Sequence, residues 1–464
     1  MTARSCFKTY DVRGVVGSEI NDAIAYRIGR AFAQHLGARK IVVGSDARLS
    51  GPSLKIALAD GLMDGGADVI DIGMSGTEQV YFAAFFLDVD GGIEVTASHN
   101  PIEFNGFKFI GPEGRPFGLG EEFAAFRKLV EGAVFRKAER QGTLSAVSIV
   151  PSYVDLLLRL VDVKKFRPLR LVVDSGNGAA GHVVDALEER FHLADVPVDF
   201  IKINYEPDGS FPKGVPNPLL PERRAATSNA VREHHADMGI AWDGDFDRCF
   251  LYDENGEFIS GYYISGLLAA NFLAKAPGSK IVCDSRIFWN TLDIIEKGNG
   301  IPVMSRTGHV FFKDKMRRHD AIYGGEISAH HYFRDFAYCD SGMLPWLLVA
   351  EHMSATGKPL SELVANRSAR FVCSDEINCK VPDLAAVMEG VVEAFRATAR
   401  KIDYTDGISI EFEKWRFSLR SSNTEPLLRL NIEAHAGTIK IAQKLTEIGQ
   451  LIRRLAAEHE AQRA

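Results

Sequence analysis

Residues 40–73 read KIVVGSDARLSGPSLKIALADGLMDGGADVIDIG. A short apolar, β-branched run, KIVVGSD, ends in a Gly and Asp cluster; an amphipathic stretch follows from Ser53 to Gly65, and a second apolar run, ADVIDIG, closes the segment. Strand-like runs separated by helical periodicity are the signature of an α/β layer. The plan recurs at Leu169 to Gly181 (LRLVVDSGNGAAG), at Ala236 to Asp245 (ADMGIAWDGD) and at Lys280 to Arg286 (KIVCDSR). Three consecutive α/β domains with mixed sheets accommodate these segments. After about residue 368 the texture changes: GISIEFEKWRFSLR and LLRLNIEA alternate as half-exposed strands do, and a charged helix from about Thr438, as N-cap, to Glu460 closes the chain. This predicts a smaller C-terminal α+β domain. At about 100–200 residues per domain, the expected division is 1–150, 151–253, 254–367 and 368–464.

The 464 residues carry 54 basic and 61 acidic side chains, a net charge of -7 without a long run of either sign, which argues against a nucleic-acid partner. An anionic ligand must then be met by local positive charge. Six cysteines lie scattered without the paired spacing of a zinc site, as in a chain kept in a reducing compartment. The start MTARSCFKTYDVRG lacks an apolar leader core, and no run approaches the roughly 18 apolar residues of a membrane span. The expectation is a cytoplasmic, unanchored protein with no membrane partner, monomeric or weakly dimeric.

Four segments carry chemistry. In IEVTASHNPIEFNGFKFI the apolar strand Ile93 to Val95 runs into a polar turn that displays Ser98, with Lys108 downstream. Serine is a poor nucleophile near neutral pH without a base, a metal or a phosphoryl group already in place. Its neighbour His99 is expected to point to the opposite side of an extended chain, which disfavours a Ser–His dyad. A plain turn with an N-cap remains open.

In GIAWDGDFDRCFLYDENG the carboxylates Asp243, Asp245 and Asp247 alternate along one loop. Two like charges about 4 Å apart repel by roughly 4 kcal/mol at an effective dielectric near 20, so three converging groups call for a cation. Hard oxygen ligands suit Mg²⁺ or Ca²⁺. With Glu254 the three match an EF-hand loop, but Arg248 stands where that loop's sharp turn wants glycine, and the flanks read as strands. A single Mg²⁺ shared with a phosphate oxygen fits better; a solvated acidic turn is the bland alternative.

AIYGGEISAHHYFRD places Glu326, Ser328 and His330 at alternate positions, on one face if the stretch is extended. A carboxylate there could accept hydrogen bonds from adjacent sugar hydroxyls; a polar loop ahead of an aromatic core is the other reading. FSLRSSNTEPLLRL clusters Arg420, Ser421, Ser422, Asn423 and Thr424 between two strands, either a phosphate-binding loop or a Ser/Asn-rich hairpin turn. YDVRG (Tyr10 to Gly14), SRTGHVFFK (Ser305 to Lys313) and Arg286 are unremarkable alone.

In this order YDVRG, TASHNP, DGDFDR, GEISAH and RSSNTEP resemble the motif set of the α-D-phosphohexomutases over essentially the whole chain. Within that superfamily, CFKTYDVRG, DIGMSGTEQVYFA and GGEISAHHYFRDFAYCDSGM are most similar to bacterial phosphomannomutases. The resemblance implies four domains around a central cleft and an exchange of mannose 6-phosphate and mannose 1-phosphate that supplies GDP-mannose. It implies a phosphoserine at Ser98, one Mg²⁺ held by Ser98, Asp243, Asp245 and Asp247, and a hexose 1,6-bisphosphate as intermediate and activator. Glu326, Ser328 and His330 would contact the sugar, and Arg420, Ser422, Asn423 and Thr424 the phosphate that is not transferred. Tyr10, Arg13, Lys108, Arg248, Arg286 and His309 would line the rest of the cleft, with Lys108 and His330 the candidates for proton transfer and Arg13 and His309 their supports. Ile327 and Ala329 replace the Met and Gly of many dual-specificity relatives, and Arg286 a Lys of some. A planar fork and a point charge place a phosphate differently. A glucose- or glucosamine-phosphate mutase is the alternative on the same machinery, and a non-catalytic sugar-phosphate sensor a more distant one.

Overall fold

A computed structural model describes residues 6–118, 120–422 and 427–463, with side chains to residue 460. Two packing units account for the chain: Met1–Ser260 with Ser328–Ser361, and Gly261–Ile327 with Glu362–Ala464.

The first unit begins with a six-stranded mixed sheet. Its parallel centre, Lys40–Ser45 between Asp68–Met74 and Gly91–Val95, comes from the α/β repeat read in the sequence. Phe104–Ile110 then returns antiparallel to Gly91–Val95 and pairs with Val12–Val15. Helices Asp22–Leu36 and Gly51–Asp64 cover this sheet, the first capped by Asn21 and closed by Gly37 in the left-handed region. Phe32, Phe109, Phe117, Phe123 and Phe126 fill the core beneath them.

The second sheet of this unit repeats the plan: Leu169–Asp174 lies parallel to Val198–Ile203 and Met238–Trp242, and Cys249–Tyr252 turns back antiparallel to Met238–Trp242. The segment 328–361 adds the short antiparallel pair His331–Phe333 and Cys339–Asp340 and the helix Leu344–Thr356. Trp242 Nε1 donates to Gly342 O at 2.9 Å and ties that segment in.

In the second unit Lys280–Asp284 runs parallel to Ile301–Ser305 and Tyr323–Gly325, with helices Gly261–Lys275, Trp289–Lys297 and His309–His319. The C-terminal part is antiparallel: Lys401–Asp403, Ile408–Glu411, Trp415–Ser421 and Leu427–His435 pair in succession under helices Leu384–Phe395 and Ile441–Arg463. The three α/β layers and the smaller C-terminal domain are those expected from the sequence. The last helix opens at Ile441 rather than just after the expected cap Thr438, whose hydroxyl donates to His435 O at 2.6 Å in the preceding turn. All six cysteines are free thiols. No helix of the described residues is long and apolar enough to cross a membrane.

Candidate active site

The strand Gly91–Val95 is buried along its length and delivers Thr96, Ala97 and Ser98. Ser98 has φ 51°, a left-handed conformation that costs a non-glycine residue roughly 1–2 kcal/mol. The surroundings impose it. Ser98 N donates to Thr96 Oγ1 at 2.7 Å, and Thr96 Oγ1 donates to Asp46 Oδ2 at 2.6 Å. Arg48, 2% exposed, donates to four carbonyl oxygens of the same loop: Ser98 at 2.8 Å, Asn100 at 2.6 Å, Pro101 at 2.9 Å and Phe104 at 2.8 Å. Arg13 grips it from another side, with Nη1 on Asn100 Oδ1 and Nε on Asp11 Oδ2, both at 2.7 Å.

The left-handed serine corrects one expectation. Ser98 and His99 are not on an extended chain, and Ser98 Oγ lies 3.0 Å from His99 Nδ1. Arg248 Nη2 also donates to that nitrogen. Burial first, then the charge of Arg248, holds His99 well below the usual imidazole range, so the ring is neutral and its Nδ1 an acceptor. The serine proton goes instead to Asp243 Oδ2, at 2.7 Å.

Asp243, Asp245 and Asp247 stand on the loop between the paired strands Met238–Trp242 and Cys249–Tyr252, all but fully buried, each offering an oxygen within 4.8 Å of the others. Gly244 permits the close approach of this loop to the serine: a Cβ there would meet Ser98 O at 2.6 Å. Lys108 Nζ bridges Asp245 Oδ2 at 2.6 Å and Asp247 Oδ2 at 2.5 Å, and Arg248 Nε donates to Asp243 Oδ2 at 2.8 Å. Thr77 Oγ1 donates to Asp245 Oδ2 at 2.6 Å. Burial works against ionisation of Asp245, but the charge and hydrogen bond of Lys108 outweigh it and hold the carboxyl low. Asp247 is pushed up by burial and by the Asp245 charge. Burial opposes the Lys108 charge as well, yet Asp245 and Asp247 keep the ammonium protonated.

Asp245 Oδ1 and Asp247 Oδ1 are buried with no hydrogen-bond partner among the described residues. An unsatisfied buried carboxylate oxygen is costly, and two of them converging beside a serine hydroxyl have the chemistry of a divalent metal site. His330 Nδ1 stands 2.9 Å from Asp340 Oδ2 and 3.9 Å from Asp247 Oδ1. The contact assigns the Nδ1 proton to the Asp340 bond.

The second unit holds the other sequence candidates. Arg286 forks onto Asp284, with Nη2 to Oδ2 at 2.5 Å, and reaches Glu326 Oε2 at 3.3 Å and Glu376 Oε2 at 3.4 Å. Gly308 N, one residue before His309, donates to Glu326 Oε2 at 3.3 Å. Arg420 Nη2 donates to Glu376 Oε2 at 3.0 Å, and Ser422 N to Leu427 O at 2.9 Å. Asn423 and Thr424 lie outside the described residues.

The expected alternation of Glu326, Ser328 and His330 does not hold. Ile327 and Ser328 form a turn and Ala329 has φ 70°, so the stretch is not an extended strand. Tyr10 is half-buried two residues ahead of the strand Val12–Val15. Sequence reasoning set His99 aside and passed over Arg48, Thr77, Asp284, Asp340 and Glu376. His99 is brought to Ser98 by the left-handed serine; Asp284 and Asp340 end strands next to motif residues and carried a positional signal; the others emerge only from long-range packing.

A buried serine against three carboxylates, with cations at hand and a separate arginine cluster in the second unit, defines the class as a metal-assisted phosphoryl-transfer enzyme. Comparison with known proteins gives the particular family. Models of phosphoglucomutase/phosphomannomutase α/β/α domains I, II and III match residues 4–129, 151–256 and 260–371, and the C-terminal domain model of the same family matches 376–447. A phosphomannomutase of Escherichia coli is 56% identical over 98% of this chain and 100% of its own length. One from Vibrio cholerae is 53% identical over 98% and 100%. The crystal structure of a phosphoglucomutase/phosphomannomutase family protein from Burkholderia thailandensis superposes with a TM-score of 0.86 at 31% identity, over 98% of this chain and 97% of that one. The chain belongs to the phosphoglucomutase/phosphomannomutase family.

Proposed function

We propose that this chain is a phosphomannomutase that exchanges mannose 6-phosphate and mannose 1-phosphate through a phosphorylated Ser98 and a hexose 1,6-bisphosphate. The observation that carries the reading is the Ser98 hydroxyl 2.7 Å from Asp243 within a buried cluster of three aspartates, two of whose oxygens lack hydrogen-bond partners among the described residues. Asp243, Asp245 and Asp247, with an oxygen of the Ser98 phosphate, would hold one Mg²⁺. When bound, the ion offsets the charge that develops on the transferring phosphoryl oxygens.

A substrate hydroxyl attacks the phosphorus of phosphorylated Ser98; the bond to Ser98 Oγ breaks as the bond to the hexose oxygen forms. The attacking hydroxyl's proton passes to a general base, and the reverse transfer needs the matching acid. His330, oriented by Asp340, and Lys108 are the groups proposed for these steps, with Arg13 and His309 in support. Arg48 and Arg13 keep the serine loop in the geometry from which in-line transfer occurs. Arg248 screens Asp243 beside the incoming phosphate, and Tyr10 lines the approach.

Turnover requires the bisphosphate to bind in two orientations, so either phosphate must be accepted by Arg420 and its loop, Ser422, Asn423 and Thr424. Arg286, Glu326 and Ser328 would serve the sugar hydroxyls. We place the division of these roles along the chain at residues 150, 253 and 368. Mannose 1-phosphate is the form to which a nucleotidyl group is added, so its proposed use is the supply of GDP-mannose; the proposed setting is the cytoplasm and the proposed state a monomer or weak dimer. A trace of hexose 1,6-bisphosphate would keep Ser98 phosphorylated. The test is a coupled assay with mannose 1-phosphate and glucose 1-phosphate, Mg²⁺ and that activator. Mannose 1-phosphate turnover is expected; no turnover of it by folded, Ser98-phosphorylated protein rejects the reading.

A further inference from the structure

Each of the three clustered aspartates has one oxygen already taken. Asp243 Oδ2 accepts from Ser98 Oγ at 2.7 Å and from Arg248 Nε at 2.8 Å. Asp247 Oδ2 accepts from Lys108 Nζ at 2.5 Å, and Asp245 Oδ2 from both Lys108 Nζ and Thr77 Oγ1 at 2.6 Å. The opposite oxygens are spared: Asp243 Oδ1 meets only Arg248 N at 3.3 Å, and Oδ1 of Asp245 and of Asp247 has no hydrogen-bond partner among the described residues. A cation between them is offered one oxygen from each carboxylate.

The two groups that occupy Asp245 Oδ2 differ in stiffness. Lys108 carries its ammonium on a four-carbon stem with rotatable donors, so it can follow a carboxylate that turns. Thr77 is short, β-branched and fully buried, with little freedom at χ1. Its main chain is tied to the same residue, since Thr77 N donates to Asp245 O at 3.1 Å. Gly76 permits this approach: a Cβ there would meet Asp245 O at 2.5 Å and run into the Phe246 ring. The turn is anchored on both sides. Ser75 Oγ donates to Glu94 Oε2 at 2.8 Å, on the buried strand that leads to Ser98. Gln79 Oε1 accepts from Gly76 N at 3.1 Å and lies 3.1 Å from His182 Nε2, in the first turn of the helix Gly181–Leu193. Asp245 is thus held at two points by a segment that cannot drift.

We infer that Thr77 is a positioning residue that limits Asp245 to a single coordinating oxygen and thereby favours Mg²⁺ over Ca²⁺ at the aspartate loop. Mg²⁺ demands near-octahedral geometry, whereas Ca²⁺ takes about six to eight oxygens in flexible arrangements and accepts both oxygens of one carboxylate. An aspartate free to turn about its side-chain bonds can present the pair and serve Ca²⁺ well. One whose second oxygen is pinned by a rigid hydroxyl cannot. Thr77 acts through Asp245 rather than on the transferring phosphoryl group, and the inference rests on the proposed reading of these aspartates as a metal site.

The experiment is titration of Mn²⁺ into the full chain followed by electron paramagnetic resonance, with Mg²⁺ and then Ca²⁺ as competitors; a thermal melt shows whether each variant is folded. Thr77→Val keeps the shape and removes the hydroxyl. It is expected to raise the Mg²⁺ dissociation constant roughly tenfold and the Ca²⁺ constant much less, which narrows the preference for Mg²⁺. Thr77→Ser, which restores the hydroxyl, is expected to keep the parent's preference, and Thr77→Ala is the second variant should Thr77→Val fail to fold. A folded variant without the hydroxyl that retains the parent's ratio of the two constants overturns the inference, because a merely structural residue would weaken both ions alike. A Thr77→Ser ratio narrowed as far as that of Thr77→Val overturns it too. Failure of the metal reading is distinct: the parent itself then binds no Mn²⁺, and the inference falls with it.

Discussion

Arg48 Nη2 donates to the carbonyl oxygen of Ser98 at 2.8 Å, so the main chain of the nucleophile, on a strand-to-strand loop, is held by a side chain from the connection between the strand Lys40–Ser45 and the helix Gly51–Asp64. The same guanidinium holds three further carbonyls of the loop. Arg48→Lys offers one ammonium for four acceptors and cannot reproduce the fork. We expect kcat to fall by about 100-fold with little change in KM, consistent with lost positioning of the reacting group. Steady-state kinetics with a thermal melt separates this from unfolding; unchanged kcat in folded protein would remove Arg48 from the mechanism.

The single ammonium of Lys108 bridges the Asp245 and Asp247 carboxylates. Lys108→Met leaves three buried carboxylates facing one another, and breaking a buried pair costs about 3–5 kcal/mol. The variant's Tm should drop in chelator and recover on adding Mg²⁺, whereas the parent's Tm should respond far less. A Lys108→Met melt insensitive to Mg²⁺ would argue against a metal at these aspartates. Full single-turnover phosphoryl transfer by the variant would take Lys108 out of the chemistry.

Asp245→Asn keeps the shape of the cluster but removes one of its charges. A roughly 10–100-fold rise in the Mg²⁺ concentration for half-maximal activity is expected, with the fold intact. Manganese binding followed by electron paramagnetic resonance gives a readout independent of turnover.

Glu78 is fully buried at the start of the helix Thr77–Phe86, neither of its carboxylate oxygens has a hydrogen-bond partner among the described residues, and burial pushes its carboxyl up to about 8. The folded form thus binds a proton that the unfolded chain releases near 4.5. The stability from this group is fully present below 4.5 and is lost as pH rises through 8. Across that window the loss is on the order of 5 kcal/mol. Glu78→Gln should flatten the fall in Tm between pH 5 and pH 8; an unchanged slope would count against the assignment.

Glu433 accepts from Arg416 Nη1 at 2.6 Å, Tyr262 OH at 2.7 Å, and the backbone N–H groups of Phe288 and Trp289 at 2.8 and 2.9 Å. It caps the helix Trp289–Lys297 from the C-terminal sheet. Removing the residues after 368 strands these donors beside Arg286, so mutase turnover should be nearly abolished. The first unit keeps its own serine loop and aspartates, and Ser98 should still accept phosphate; the assay is phosphorylation by hexose 1,6-bisphosphate followed by mass spectrometry.

The α/β layers were legible because strand and helix periods alternate in runs such as 40–73, and the later loss of that texture marked the C-terminal sheet. The serine and aspartate loops were legible too, since each follows a short strand rich in apolar residues. The contact of Ser98 with His99 was not: it depends on one left-handed residue, and nothing local in TASHNP announces that φ. Alternation over 326–330 failed for the same reason at Ala329. Arg48 looks like any loop arginine until the chain 50 residues on folds against it.

The first unit is assembled from two stretches of chain, with residues 261–327 between them. On the ribosome, at about 5–20 residues per second, the serine and aspartate loops emerge seconds before His330, Asp340 and the buried Trp346. During that interval Trp242 has no Gly342 carbonyl to receive its N–H, and the apolar faces that the helix Leu344–Thr356 will cover stand open. The nascent chain therefore passes through a stage that is fully synthesised around its nucleophile yet still adhesive, a natural client for a holding chaperone. Synonymous codon changes that slow translation across 261–327 would lengthen that exposure without altering one residue of the finished enzyme.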